Sequence, residues 1–212
     1  MQNTAHIDFT LYLVTDRGIL RGRDLFEAVE AAIRGGVTLL QLREKDASSR
    51  EFYEIALQMK RLAASHRIPL IINDRLDIAL AVDADGLHVG QDDLPVDVAR
   101  RLLGPGKILG CSVSNEEEAR EAERAGADYL GAGSVYPTGS KELVKPPIGP
   151  EGLRRIKEAV SIPVVGIGGI GLHNIAEVKK TGVDGISVIS AILGRQDIEE
   201  AARELVRAWR QP

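Results

Sequence analysis

A chain of 212 residues with 44% hydrophobic and 27% charged residues has the balance of one ordinary globular domain over 1–212, which excludes disorder. A formal charge of −4 (27 Lys+Arg against 31 Asp+Glu) and 4% aromatics argue against nucleic acid as a partner, since phosphate neutralisation needs a basic surface. The single cysteine excludes an internal disulfide, no window reaches the roughly 20 apolar residues of a membrane helix, and Met1–Thr10 lacks a signal-peptide layout, so a cytoplasmic protein away from membranes is expected.

Apolar, β-branched runs of strand length recur along the chain. They are Leu11–Thr15, Leu39–Arg43, Leu70–Asn73, Gly86–Val89, Ile108–Val113, Tyr129–Ser134, Val164–Ile167 and Ile186–Ile189. Helix-period segments follow them, starting near Asp24, Ser49, Leu76, Val96, Asn115, Pro150, Leu172 and Ile198. Gly35-Gly36, Gly126 and Gly182 mark helix ends, and Ala84-Asp85-Gly86, Ala127-Asp128-Tyr129 and Val183-Asp184-Gly185 form a weak repeat of small residue, acid and strand. Strict alternation of strand and helix requires a parallel sheet, and eight units predict closure into a single-domain (β/α)8 TIM barrel.

The active site of such a barrel lies at the C-terminal ends of its strands. Alternation along the second strand sends Gln41, Arg43 and Lys45 to the inner face and Leu40, Leu42 and Glu44 to the helix side. A solvated surface run would explain Lys45 alone. It explains Gln41 and Arg43 poorly, because an unpaired inward charge is costly, so an anionic ligand is expected.

The third strand ends in Asn73-Asp74-Arg75 and the fourth in Gly90-Gln91-Asp92-Asp93. Adjacent strand ends lie roughly 5 Å apart, so carboxylates from both can meet. Oxygen ligands without His or Cys suit Mg2+. The plainer alternative has Asp74 capping a helix and Asp92 or Asp93 capping a turn. The fifth strand delivers Ser112, and the longest post-strand connection runs Tyr136-Pro137-Thr138-Gly139-Ser140-Lys141 onward to Pro150, a composition suited to phosphate contact or to an ordinary solvated loop. Gly166-Ile167-Gly168-Gly169-Ile170 and Val188-Ile189-Ser190-Ala191-Ile192 close the seventh and eighth strands, where barrels of this class place phosphate on backbone N–H groups. His6, His66, His88 and His173 do not cluster. His88 is expected to be a packed interior histidine and Cys111 a buried structural thiol.

These features describe a site for two phosphorylated substrates, one a Mg2+-bound diphosphate. At this point the chain resembles the thiamine-phosphate synthase family. The motifs that carry the resemblance are Gln41-Leu42-Arg43-Glu44-Lys45, Asn73-Asp74, residues 86–93 (Gly-Leu-His-Val-Gly-Gln-Asp-Asp), the Ser112 strand, residues 137–141, residues 166–170 and residues 188–191. They span nearly the whole chain in the family's order.

The resemblance implies that Gln41, Leu42, Arg43, Glu44, Lys45, Asn73, Ser112 and Lys141 hold an aminopyrimidine diphosphate, with Arg43, Lys45, Ser112 and Lys141 catalytic. It implies that Asp74 and Asp93 bind Mg2+, and that Thr138, Gly139, Ser140, Gly169, Ile189 and Ser190 hold a thiazole phosphate. The implied reaction joins the pyrimidine methylene to the thiazole nitrogen and releases diphosphate. Two positions depart from the family's pattern: Ser114 stands where a histidine is frequent, and Ser140 replaces a threonine. The alternatives are a thiazole tautomerase-like isomerase and an inactive precursor-binding barrel. Asn73, Asp74, Asp93 and Lys141, together with Ser114 in place of an acid/base histidine, favour the synthase. The expected partners are small molecules, with a homo-oligomer left open.

Overall fold

The computed structural model describes residues 7–139 and 146–211. Its strands are β1 (Leu11–Val14), β2 (Leu39–Leu42), β3 (Leu70–Asn73), β4 (Gly86–Val89), β5 (Ile108–Val113), β6 (Tyr129–Gly133), β7 (Val164–Ile167) and β8 (Gly185–Val188). They pair in chain order, all parallel, and β8 closes on β1 through the register Leu11 to Ile186 and Leu13 to Val188. The (β/α)8 barrel expected from the alternation is therefore the fold.

The helices are α1 (Arg17–Leu20), α2 (Leu25–Arg34), α3 (Ser49–Ser65), α4 (Leu76–Ala81), α5 (Val96–Leu103), α6 (Glu116–Arg124), α7 (Gly149–Ala159), α8 (Ile175–Lys179), α9 (Ser190–Leu193) and α10 (Ile198–Arg210). Among the described residues, no helix is long and apolar enough to cross a membrane. The short helices α1 and α9 escape a reading of periodicity, because a single turn has no period.

Several boundaries shift by a residue or more. Thr15 and Arg43 fall just beyond their strands, and there Thr15 Oγ1 accepts the Arg43 N–H at 2.9 Å, so a side chain takes over from the backbone ladder. Ser48, not Ser49, caps α3 by accepting the Glu51 N–H. Asp24 and Asn115 cap α2 and α6 as expected. The segment begun at Leu172 turns through Gly171–Asn174 before α8 starts at Ile175, with Asn174 Oδ1 accepting the Gly171 N–H.

Two apolar layers follow from strand alternation. Leu11, Leu13, Leu40, Leu42, Leu70 and Ile72 face the helices in the larger core. Phe9, Tyr12, Leu39, Ile71, Ile108, Tyr129 and Val165 fill the barrel interior. Gly110 leaves room for the Tyr129 ring, since a Cβ there would lie 2.2 Å from Tyr129 Cζ.

The weak repeat in the sequence is a set of bottom stitches. The residue before each even-numbered strand accepts an N–H near the start of the preceding strand: Asp85 from Leu70, Asp128 from Leu109 and Asp184 from Val164, each at 2.8 Å. Thr38 does the same for Leu11 at 3.1 Å. Each aspartate also pairs with a cation from the helix that leads into that preceding strand, namely Lys60 of α3, Arg100 of α5 and Lys157 of α7. These contacts pin the N-terminal end of the barrel and leave the other end for chemistry.

Candidate active site

At the C-terminal mouth, β2 presents Gln41 inward and buried, as its alternation requires. Arg43 follows it, and its charge is not unpaired. Asp16, just past β1, caps α1 and accepts from Arg43 Nη1 at 3.2 Å. The protein itself supplies one carboxylate to this inward charge, and Arg43 keeps further guanidinium donors for a ligand. Leu42 is packed in the outer core, so a ligand at the mouth meets its backbone rather than its side chain. Glu44 also turns away. Burial raises its pKa, Arg17 at 3.4 Å counters that rise, and its Oε1 has no hydrogen-bond partner.

Lys45, Asp74 and Asp93 converge from the ends of β2, β3 and β4. Lys45 Nζ donates to Asp74 Oδ2 at 2.5 Å. Asp74 occupies the left-handed backbone region at φ 61°, an uncommon conformation for a residue with a side chain. Its N–H reaches the His88 carbonyl at 2.8 Å, and its carboxylate meets Lys45 instead of capping α4, whose start has no side-chain cap. Burial opposes ionisation of Asp74, but Lys45 and a hydrogen bond from Asp93 outweigh it and hold the carboxyl below its ordinary value.

Burial and the facing Asp74 push Asp93 the other way, although the Gly90 N–H donates to it at 2.7 Å. Asp93 therefore has the expected turn contact and faces Asp74 as well, whereas Asp92 is exposed. Two opposed carboxylates with oxygen-only donors fit a hard divalent cation. No group of three or more His, Cys, Asp or Glu that could hold a metal ion converges among the described residues.

Deeper in the barrel a chain of hydrogen bonds joins Gln41 to Ser112. Gln41 Nε2 donates to the Tyr12 hydroxyl at 2.6 Å, and that hydroxyl lies 2.7 Å from the Tyr129 hydroxyl. Tyr129 reaches His88 Nδ1 at 2.9 Å, and His88 Nε2 lies 2.9 Å from Ser112 Oγ. His88 is interior, as expected, and both of its nitrogens are engaged. Gln91 adds a bond from its Nε2 to the Ser112 carbonyl at 2.7 Å, tying the ends of β4 and β5. Asn73 stands opposite His88 in the β3–β4 register. Ser114 binds Glu118 Oε2 through both its N–H and its hydroxyl, a local contact at the entry to α6.

Across the mouth, the turns after β6 and β7 lie against each other. The Val135 and Tyr136 N–H groups donate to the Ile167 and Gly168 carbonyls at 2.8 and 3.0 Å. Gly168 and Gly169 both have positive φ, and a Cβ on Gly169 would come within 2.6 Å of the Pro137 carbonyl oxygen. Asn174 Nδ2 donates to the Gly169 carbonyl at 2.9 Å and fixes this turn. Thr138 is half-buried and Gly139 exposed on the β6 turn, while Ile189 and Ser190 stand where α9 begins after β8. Ser140 and Lys141 lie outside the described residues.

Residues 11–192 match the family described as thiamine monophosphate synthase. The chain belongs to the thiamine monophosphate synthase family. Within that family it is 58% identical over 204 residues to the thiamine-phosphate synthase of Desulfitobacterium hafniense, covering 96% of this chain and 99% of the relative. It is 58% identical over 209 residues to the same-named protein of Caldanaerobacter subterraneus subsp. tengcongensis, covering 97% and 95%. The solved thiamine phosphate pyrophosphorylase from Pyrococcus furiosus superposes with a TM-score of 0.87 at 48% identity over 96% of each chain. A 3-hexulose-6-phosphate synthase structure, at 20% identity and a TM-score of 0.71, shares the fold alone.

Asp16, Gln91, Asn174 and the two barrel tyrosines were not singled out from sequence as parts of the site. Tyr12 had a usable signal: between Leu11 and Leu13 it is the polar-tipped residue on the inward face of β1.

Proposed function

We propose that this chain is a thiamine-phosphate synthase, joining the methylene of 4-amino-2-methyl-5-(diphosphooxymethyl)pyrimidine to the nitrogen of a thiazole phosphate, or of its carboxylated tautomer, with release of diphosphate. The observation that carries the reading is the convergence of Lys45, Asp74 and Asp93 beside Arg43 at the barrel mouth. That set suits a polyanionic leaving group, and the names of the family relatives agree with it.

Gln41, Asn73 and Ser112 would hold the pyrimidine. Arg43, Lys45 and Lys141, with the Leu42–Glu44 backbone, would hold its diphosphate. As the carbon–oxygen bond stretches, negative charge builds on the departing diphosphate, and the fixed cations Arg43 and Lys45 stabilise it. Mg2+ held by Asp74 and Asp93 would add positive charge at the same oxygens when bound. Gly169, Ile189, Ser190, Thr138, Gly139 and Ser140 would seat the thiazole phosphate across the mouth, its nitrogen facing the methylene. The barrel walls keep water from a pyrimidine-methyl cation, and no strong general base is required.

Incubating the purified protein with both precursors and Mg2+ tests this reading by following thiamine phosphate and diphosphate together. Equimolar release is expected, lost in excess chelator and restored by Mg2+. Isomerisation of the thiazole phosphate without diphosphate release would instead establish the tautomerase.

A further inference from the structure

We propose that Tyr12, Tyr129 and His88 are positioning residues that set the hydrogen-bonding polarity of the pyrimidine pocket, so that Gln41 offers an acceptor and Ser112 a donor. The proposal rests on the synthase reading above. Along the buried chain each proton can be counted. Gln41 Nε2 can only donate, so the Tyr12 oxygen accepts and its one hydrogen passes to the Tyr129 oxygen. The Tyr129 hydrogen then goes to His88 Nδ1, which must be bare, and His88 Nε2–H donates to Ser112 Oγ.

Each link thereby has one direction. Gln41 Oε1 is left to accept, and the Ser112 hydrogen is left to donate. Tyr12 is 1% exposed, Tyr129 0%, Gln41 4% and His88 6%, so bulk water does not scramble the order. Burial pushes both phenols well above their ordinary pKa, so each keeps its hydrogen.

This polarity suits an aminopyrimidine, whose amino N–H donors and ring-nitrogen acceptors are complementary to a carbonyl oxygen presented from β2 and a hydroxyl hydrogen presented from β5. Unsupported, a Gln amide can flip and a Ser hydroxyl can rotate, and the pocket would accept the opposite pattern equally well. Two glycines make the chain possible: a Cβ on Gly110 would overlap the Tyr129 ring, and one on Gly131 would sit 3.2 Å from His88 Cε1.

The first test needs no variant. Nitrogen-15 NMR of the wild-type protein should show His88 neutral with its proton on Nε2, the signal being assigned by its loss in His88→Gln. A proton on Nδ1, or a doubly protonated ring at neutral pH, overturns the proposal.

The second test is Tyr129→Phe, with Tyr12→Phe as the companion should the first fail to fold. Either variant should raise KM for the pyrimidine diphosphate about tenfold and leave KM for the thiazole phosphate within about twofold. Either should also shrink the discrimination against the analogue bearing oxygen in place of the amino group. Equal changes in both KM values, or unaltered discrimination, would show a merely structural role and overturn the proposal. If wild-type protein forms no thiamine phosphate, the synthase reading fails, while the tautomer still decides the proton order.

Discussion

The two ends of the barrel use aspartate in opposite ways. At the N-terminal end Asp85, Asp128 and Asp184 each accept a strand N–H and pair with a cation from the helix that leads into that strand. Their backbone angles are not among the strained ones, save for the neighbouring Asp83. At the C-terminal end Asp74 is held in a left-handed conformation and faces a second carboxylate, Asp93, with Lys45 beside them. The same side chain closes the structure where its partners are backbone and helix, and faces another carboxylate at the end proposed to carry the chemistry. In that reading stability and function are separated by the length of a strand, as barrel architecture allows.

The comparison can be broken first at the mouth. Arg43→Ala or Asp93→Asn should lower kcat/KM for coupling by about 10²- to 10³-fold, the range seen on removing one charge-stabilising donor. The thermal midpoint of either variant should stay within a few degrees of wild type, measured by circular dichroism. A near-normal rate would place chemistry elsewhere.

The reverse outcome is expected at the barrel floor. Asp128→Ala leaves the Leu109 N–H and Arg100 without their buried partner and should cost about 3 kcal/mol in urea unfolding, with kcat unchanged. Asp85→Ala sharpens the gradient within that end. Its carboxylate is 39% exposed, so water replaces part of what is lost and about 1 kcal/mol is expected.

The smallest effect is a negative one. Burial, followed by the charges of Glu118 and Asp93, raises the Cys111 thiol to about 12, so at pH 8.5 the native thiol stays protonated. Iodoacetamide should label Cys111 only after unfolding, as read by mass spectrometry.

How much of this was legible depended on the range of the interaction. Period-2 alternation correctly turned Gln41 inward and Leu40 and Leu42 outward, because pleating is a property of the strand itself. The repeat of small residue, acid and strand was visible, but its meaning was not: the N–H that Asp85 serves belongs to Leu70, in the strand before it. Thr38 was missed in that set because a hydroxyl replaces the acid. Asp16 was missed as the partner of Arg43, which lies 27 residues along the chain. Tyr12 and Tyr129 meet across 117 residues. Nothing local announces that Asp74 adopts a positive φ, and the contacts that accompany it, to the β4 carbonyl and to Lys45, come from other strands.

The sequence by itself determined the barrel, its inner and outer faces and the residue types at its mouth, because hydrophobic period, caps and strand polarity act over a few residues. Only the tertiary structure decided that Arg43 meets Asp16, that Lys45 pairs with Asp74, and that two tyrosines and a histidine join Gln41 to Ser112. The reason is geometric: parallel pairing sets the ends of neighbouring strands side by side, and closing the barrel through β1 and β8 brings Tyr12 against Tyr129, contacts that neither spacing nor propensity announces.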